Sequence, residues 1–185
     1  MPAPRQTLLE RQVLGGWTLG GIGAFQTGEP VTVYTTAAFS PVLDSNGKLI
    51  GNAGGDYNGD GYNWDIPNAP TFGRHMSGQS KKQFLNGIFA ASDFPAPSLG
   101  QEGNLGRNTY NAPGYANVNM NIEKAFSIPW FGGERMSVEC RGEVYNLLNR
   151  ANLMNLDSNM ADPLFGHATG QQPARSLQFH VRAQF

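Results

Sequence analysis

The residues from Ser176 to Phe185 alternate without exception between polar and apolar side chains, reading SLQFHVRAQF. Because successive side chains of a β-strand point to opposite faces, this period of two predicts a strand with one apolar and one polar face. At about 3.4 Å per residue and a tilt near 40°, ten residues cover roughly 25 Å, the height of the apolar band of an outer-membrane barrel. The apolar positions are Leu177, Phe179, Val181, Ala183 and Phe185.

Two upstream segments, YANVNMNIEKAF (115–126) and RMSVECRGEVYNL (135–147), show the same alternation. The short connection between them contains Pro129, Gly132 and Gly133, which predicts a hairpin. Lys124 interrupts the apolar face of the first segment, where a long side chain can extend towards lipid head groups.

The turn of that hairpin also carries Trp130 and Phe131, which suit an aromatic belt at the membrane interface.

The polar faces of the three strands carry amides and charges of both signs. This mixture favours a wet barrel interior, where opposite charges on neighbouring strands pair. A soluble β-sandwich with one wet face is the alternative. The residues predicted to face the lumen are Asn117, Asn119, Asn121, Glu139, Arg141, Glu143, His180 and Arg182.

The pattern along the whole chain predicts an all-β fold of antiparallel strands that form part of a transmembrane β-barrel. Short turns at 28–30 and 128–134 alternate with two long loops. Because bacterial barrels place short turns on the periplasmic side, both turns are predicted to be periplasmic and the long loops extracellular. The predicted strands lie near 16–27, 30–36, 115–127, 135–147 and 174–185, and the long loops are 37–114 and 148–173.

Composition supports a strand-based membrane protein. Charged residues make up 15% of the chain, below the roughly 25% of soluble domains. Mean hydropathy is nevertheless only −0.38, because a membrane barrel hides its lipid face by alternation. The net charge of −1 gives no electrostatic footprint for nucleic acid. The single Cys140 excludes an internal disulfide and a thiolate metal cluster.

No residue pattern indicates catalysis, so we expect the chain not to be an enzyme. Neither a G-x-S-x-G motif nor a Cys/His arrangement is present, and His75, His167 and His180 lack metal-ligand spacing. Glu139 and Glu143 resemble the carboxylate pair of a glycosidase, but Arg141 lies between them on the same strand face. A structural ion ladder is the preferred interpretation.

The segment DYNGDGYNWD, residues 56–65, is the one candidate cofactor site. Its first, third and fifth residues match an EF-hand loop, with Gly61 at the sixth position, but Pro67 occupies the twelfth, so the bidentate acid is missing. The sequence therefore predicts weak calcium binding at most and no other cofactor. A cluster of Asx and glycine turns in a solvated loop is the preferred interpretation, and a weak calcium site is the alternative. The candidate ligands are Asp56, Asn58, Asp60 and Asp65.

Several stretches together resemble the C-terminal end of Oar-like TonB-dependent outer-membrane transporters, whose N-terminal end carries a carboxypeptidase-regulatory-like domain. That family usually has an acidic residue where Asn119 stands. The similar stretches are GGWTLGGIGAFQTGEPVTV (15–33), GNLGRNTYNAPGYANVNMNIEKAF (103–126), RGEVYNLLNRANL (141–153) and FHVRAQF (179–185).

The resemblance implies a 22-stranded barrel in the bacterial outer membrane, of which this chain supplies about the last five strands. It also implies a plug domain and a TonB-contacting segment, both expected to lie outside this chain, and uptake of a large solute. The opening residues lack a secretory signal and no stretch of about 20 apolar residues occurs. We therefore expect either a gene fragment or a mis-started reading frame, not functional alone.

Two further expectations concern assembly and the alternative function. The apolar positions Leu177, Phe179, Val181 and Phe185 resemble a barrel-insertion signal, read by strand addition with alternate side chains supplying specificity. The second functional hypothesis is a secreted, soluble, β-rich binding module that uses its Asp-rich loop for calcium-assisted glycan contact.

Overall fold

The computed structural model describes residues 13–71, 78–129, 131–133 and 135–185. Its described fold is all-β. It includes a short helix, α1 (Lys81–Asn86), the helical residues Val13 and Leu14, and two single 3-10 turns, Ala91–Asp93 and Phe131–Gly133. Within these ranges, no helix combines the length and the apolar character that crossing a membrane would require. The strands are β1 (Trp17–Gln26), β2 (Pro30–Val31), β3 (Pro41–Leu43), β4 (Leu49–Asn52), β5 (Tyr110–Asn111), β6 (Tyr115–Pro129), β7 (Arg135–Tyr145), β8 (Leu153–Leu156), β9 (Ala168–Gln171) and β10 (Ser176–Gln184).

The chain divides into two compact units. The first, here called the sheet unit, contains a four-stranded sheet in the order β1-β6-β7-β10. The second, here called the loop unit, comprises the described residues of 26–115 and 152–172. Three small two-stranded sheets lie in it, which pair β2 with β5, β3 with β4, and β8 with β9.

The sheet unit has an unbroken antiparallel register from β6 through β7 to β10. One row reads Ile122, Gly142 and Phe179, and the next row reads Glu123, Arg141 and His180. Since side chains alternate along each strand, these two rows project from opposite faces. The register therefore brings the apolar positions of three strands onto one face and the polar positions onto the other.

β1 pairs with the other edge of this sheet, in the antiparallel sense. The Ala125 N–H donates to the Gly16 carbonyl at 2.9 Å, and a Cβ at Gly20 would meet the Asn121 side chain. β1 therefore starts beside the end of β6 and finishes beside its beginning, so residues 27–114 connect the adjacent ends of the two strands.

This connectivity corrects the predicted position of the 28–30 turn. The turn leaves β1 at the end of the sheet opposite the short 130–134 connection, so the two turns do not share a side. The long segments 27–114 and 146–175 instead both leave the sheet at one end. The prediction was wrong because it counted residues 30–36 as a strand of the barrel wall.

The predicted 30–36 strand is not part of the sheet unit. Only Pro30 and Val31 are strand, paired with β5, and Thr35 forms an isolated bridge to Asp65. The apolar residues of this stretch pack inside the loop unit and not in the barrel wall, since Val33 is fully buried in the core of the loop unit. The sheet therefore contains four of the chain's strands, not five.

Most of the described residues of the long loops predicted as 37–114 and 148–173 belong to the loop unit, which has its own hydrophobic core. Four aromatic rings meet in it: Phe89 lies 4.8 Å from Tyr110, 5.4 Å from Phe165 and 5.6 Å from Phe94, centroid to centroid. Such pairs add about 0.5–1.5 kcal/mol each beyond area burial. The buried core residues are Val33, Phe84, Ile88, Phe89, Phe94, Leu105, Tyr110, Leu153, Leu156 and Phe165.

Candidate functional site

The polar face of the sheet unit is a lattice of paired charges and amides. Arg141 Nη2 lies 2.7 Å from Glu143 Oε1, and His180 Nε2 lies 3.7 Å from Glu143 Oε2. The Tyr145 hydroxyl donates to the same Glu143 carboxylate at 2.7 Å. Glu143 thus contacts three neighbours, two of them basic side chains. Across β6, β7 and β10 the rows are Asn121–Glu143–Gln178, Glu123–Arg141–His180 and Ala125–Glu139–Arg182.

The asparagines predicted on this face lie at alternate positions of β6, and one of them has a defined structural role. The Asn119 side-chain oxygen accepts the Asn146 N–H at 2.9 Å. Asn146 is buried, has a positive φ of 53°, and donates from its own amide to the Arg150 and Pro173 carbonyls. Asn119 therefore fixes the chain where it leaves β7, a role that an acidic residue could also fill.

The opposite face of the sheet unit is apolar and open. Phe179 is 81% exposed, Val181 74% and Leu19 68%. Gly142 leaves room between Ile122 and Phe179, whose side chains would both contact a Cβ placed there. Large apolar side chains aligned along whole strands are unfavourable in water and suit lipid. The structure therefore gives this sheet one face for hydrocarbon and one for water.

Lys124 lies on the apolar face but does not extend to head groups, contrary to the sequence-based interpretation. It is only 5% exposed, and its ammonium donates to the carbonyls of Gly15 and Val13. The Nζ atom also lies 4.9 Å from the Trp17 ring centroid and 5.2 Å from that of Phe126. Protein groups thus satisfy this cation, and it fastens residues 13–16 to β6.

The predicted insertion residues Leu177, Phe179 and Val181 lie on this apolar face in β10, and Phe185, just beyond β10, is 94% exposed. Their role as an assembly signal stays a prediction. Phe131, in the turn after β6, is 85% exposed. Trp130, the other residue predicted for the aromatic belt, lies outside the described residues, as does His75.

The Asp-rich segment 56–65 is a closed loop whose buried carboxylates bind backbone amides. Asp56 accepts from the Gly59 N–H at 2.8 Å and from the Gly61 N–H at 3.0 Å. Asp65 accepts from the Tyr57 N–H. Asp56 and Asp65 are 3% and 4% exposed. This is the geometry of an Asx and glycine turn cluster, which is the preferred interpretation of the motif.

The remaining candidate ligands lie at the surface of the same loop. Asn58 donates to Asp60 Oδ2 at 3.0 Å and to Glu102 Oε1 at 3.3 Å. Burial, together with the nearby carboxylates of Asp65 and Asp60, raises the pKa of Glu102. Within the described ranges, no three His, Cys, Asp or Glu side chains are grouped so that they could hold a metal ion.

We expect calorimetry on the full chain in detergent to detect calcium binding no tighter than about 10⁻⁴–10⁻³ M, if any. The physical reason is that the loop lacks a bidentate acid and its buried carboxylates already accept backbone N–H groups. Asp44→Ala, in a separate turn, is the control variant. A micromolar dissociation constant that Asp60→Ala abolishes and Asp44→Ala preserves would contradict the prediction.

Several residues of structural consequence were not recognised from the sequence. The rings of Tyr34 and Trp64 stack with their centroids 4.5 Å apart, although they lie 30 positions apart. The core phenylalanines Phe84, Phe89 and Phe94 recur every five residues in an otherwise turn-rich segment. This regular spacing of phenylalanines could have indicated a packed core, because a solvated loop rarely contains regularly spaced large apolar side chains.

Antiparallel strands with one exposed apolar face and one charged, hydrogen-bonded face define the wall of a transmembrane β-barrel. The chain belongs to the outer membrane beta barrel domain family, whose model matches residues 4–178. The protein is accordingly located in the bacterial outer membrane. The described sheet is open, with β1 and β10 at its edges. Comparisons with curated proteins and with solved structures find no match.

Proposed function

We propose that this chain forms part of the barrel of a TonB-dependent, Oar-like transporter that takes up a large solute. The observation that carries the proposal is where the four family-like stretches lie. Stretches 15–33, 103–126, 141–153 and 179–185 contain parts of all four strands of the sheet unit, β1, β6, β7 and β10. The resemblance thus concerns the membrane wall itself and not only its variable loops.

In this proposal the polar lattice around Arg141 and Glu143 lines the barrel interior, and the apolar face contacts outer-membrane lipid. The short 130–134 connection is periplasmic, and the segments 27–114 and 146–175 are extracellular. The chain carries out no catalysis. The remaining strands of the barrel are proposed partners, because open sheet edges such as those of β1 and β10 need further strands in lipid. A plug domain and the TonB complex of the inner membrane are further proposed partners, as the family resemblance implies.

The alternative, a secreted soluble module, has to leave Phe179 and Val181 in water. It predicts a chain that is monodisperse without detergent, whereas the transporter proposal predicts detergent dependence. The motif that suggested the alternative, residues 56–65, is consistent with either function.

The transporter proposal can be tested in the native bacterium by comparing the parent strain, a deletion of this gene and a deletion of TonB. Large solutes are quantified in the spent medium by mass spectrometry. We expect the same solute to remain in the medium of both deletion strains, since uptake through a plugged barrel requires energy. Uptake that fails without this gene but continues without TonB would indicate a passive pore and would overturn the proposal.

A further inference from the structure

The loop 56–65 displays two large aromatic side chains at the surface of the loop unit. Tyr62 is 79% exposed and Trp64 is 66% exposed. The carboxylates that close the loop, Asp56 and Asp65, are almost fully buried. The loop therefore has a fixed base and an aromatic tip, and rigid aromatic side chains contribute contact area to binding at little cost in conformational entropy.

Backbone hydrogen bonds hold Trp64 in its outward position. Its N–H donates to the Thr35 carbonyl at 2.9 Å, and the Thr35 N–H donates to the Asp65 carbonyl at the same distance. Trp64 has a φ of 108°, which bulky residues rarely adopt. A backbone of this kind persists only where its surroundings impose it.

Tyr34 supports one side of the indole. The two rings stack at 4.5 Å with an interplanar angle of 22°. Tyr34 is itself fixed on both sides of its backbone: its N–H donates to Ser158 and its carbonyl accepts from Met160. With Tyr34 behind it and most of its surface exposed, Trp64 presents an accessible aromatic face.

Two exposed carboxylates bind backbone N–H groups two residues before and two residues after Trp64. The Asp60 carboxylate accepts the Tyr62 N–H at 2.7 Å, and the Glu102 carboxylate accepts the Ile66 N–H at 3.3 Å. Both acids are exposed and contact the segment that carries Trp64. Between Lys48 and Arg74 the sequence contains no Lys, Arg or His.

Asp157 and Asp162 form a second group of acids, which acts on the Tyr34 hydroxyl. Burial and the neighbouring carboxylates of Asp157 and Asp162 raise the pKa of the Tyr34 hydroxyl. The aromatic pair thus lies in a region of negative potential. Such a region favours cations and disfavours anions.

We propose that Trp64, backed by Tyr34 and flanked by Asp60 and Glu102, binds a positively charged amine or guanidinium group on the transported solute. The face of an indole attracts such a cation electrostatically, most strongly among the aromatic side chains. Charge complementarity from the two carboxylates selects a cationic solute over a neutral or anionic one. This proposal names the chemical class of the transported solute, and it rests on the proposed uptake function for the statement that the bound solute is transported.

The test is calorimetric titration of the purified full chain in detergent micelles at low salt, with penta-arginine, penta-glutamate and maltopentaose as probes. We expect penta-arginine to bind and penta-glutamate not to bind. Trp64→Leu, which keeps an apolar side chain but removes the aromatic face, should weaken binding roughly 3- to 30-fold. Phe131→Leu, at another exposed aromatic residue, is the matched control and should leave binding unchanged.

A second variant keeps the test decisive if Trp64→Leu disturbs the loop. Asp60→Asn combined with Glu102→Gln removes both charges, and should weaken penta-arginine binding and reduce its salt dependence. Equal penta-arginine binding by both variants and the parent would overturn the proposal. Tighter binding of maltopentaose, independent of salt, would also overturn it and would identify a carbohydrate platform instead. Neither result affects the TonB comparison, because the titration measures binding without transport.

Discussion

Phe179→Arg is expected to prevent most of the protein from inserting into the outer membrane. Phe179 lies near the middle of β10, is 81% exposed, and shares a row with Gly142 and Ile122 on the apolar face. A cationic side chain on the lipid face costs about 2–4 kcal/mol at the bilayer midplane and much less near the interfaces. A penalty of this size is a large fraction of the stability of a typical domain.

The matched control is Gln178→Arg, one residue earlier, where the side chain lies in the polar row with Glu143. The measurement restores this segment to a full-length relative and quantifies the heat-modifiable, membrane-inserted barrel for each variant, because open sheet edges need further strands in lipid. We expect the Gln178→Arg protein to insert at close to the parent level, because that face is wet and a carboxylate is near. Equal insertion of the two variants would show that the two faces of β10 are assigned wrongly.

Phe89→Ala is expected to unfold the loop unit while leaving the sheet unit intact. Phe89 is buried in a cluster of four aromatic rings, and its own ring contacts the other three, those of Phe94, Tyr110 and Phe165. Truncation of a buried phenylalanine costs about 3–5 kcal/mol, because the cavity that it leaves closes only in part. Among the described residues, the hydrophobic core of the loop unit comprises only ten buried side chains, so the loss of one large ring removes a substantial part of the packing that stabilises the unit.

Limited proteolysis of the protein in detergent checks this expectation. Cleavage within residues 27–114 should accelerate in Phe89→Ala, with the β-sheet circular dichroism of the sheet unit retained. Leu164→Ala, at a side chain that is 51% exposed, should be cleaved like the parent. Cleavage of Phe89→Ala at the parent rate would mean that the aromatic cluster does not hold the loops together.

The sequence predicts the membrane wall well because its strands are long. In β6, β7 and β10 a period of two runs over nine residues or more. Such a pattern determines which residues share a face of the strand, independently of how the rest of the chain folds. The register then follows from the short connection at 130–134, and the paired charges around Arg141 could be anticipated as a group.

The loop unit could not be predicted in the same way. Its strands contain two to four residues, too few to show a period. In residues 30–36 the alternation is present but has another cause, since Val33 lies in the core of the loop unit and Thr35 is buried. The Tyr34–Trp64 stack joins residues that only the fold brings together. Long-range packing, not local pattern, decides these features.

The native Cys140 allows a direct test of the central claim that alternate residues of β7 face lipid. Cys140 lies in the row of Lys124 and Val181 on the apolar face, whereas Arg141 lies in the polar row. The measurement compares labelling by a lipid-soluble maleimide in intact outer membranes for the parent and for Arg141→Cys in a Cys140→Ser background. The account predicts strong labelling of the parent and weak labelling of the Arg141→Cys variant. If the parent is labelled no better than the variant, the face assignment is wrong and β7 does not lie in the membrane wall as described.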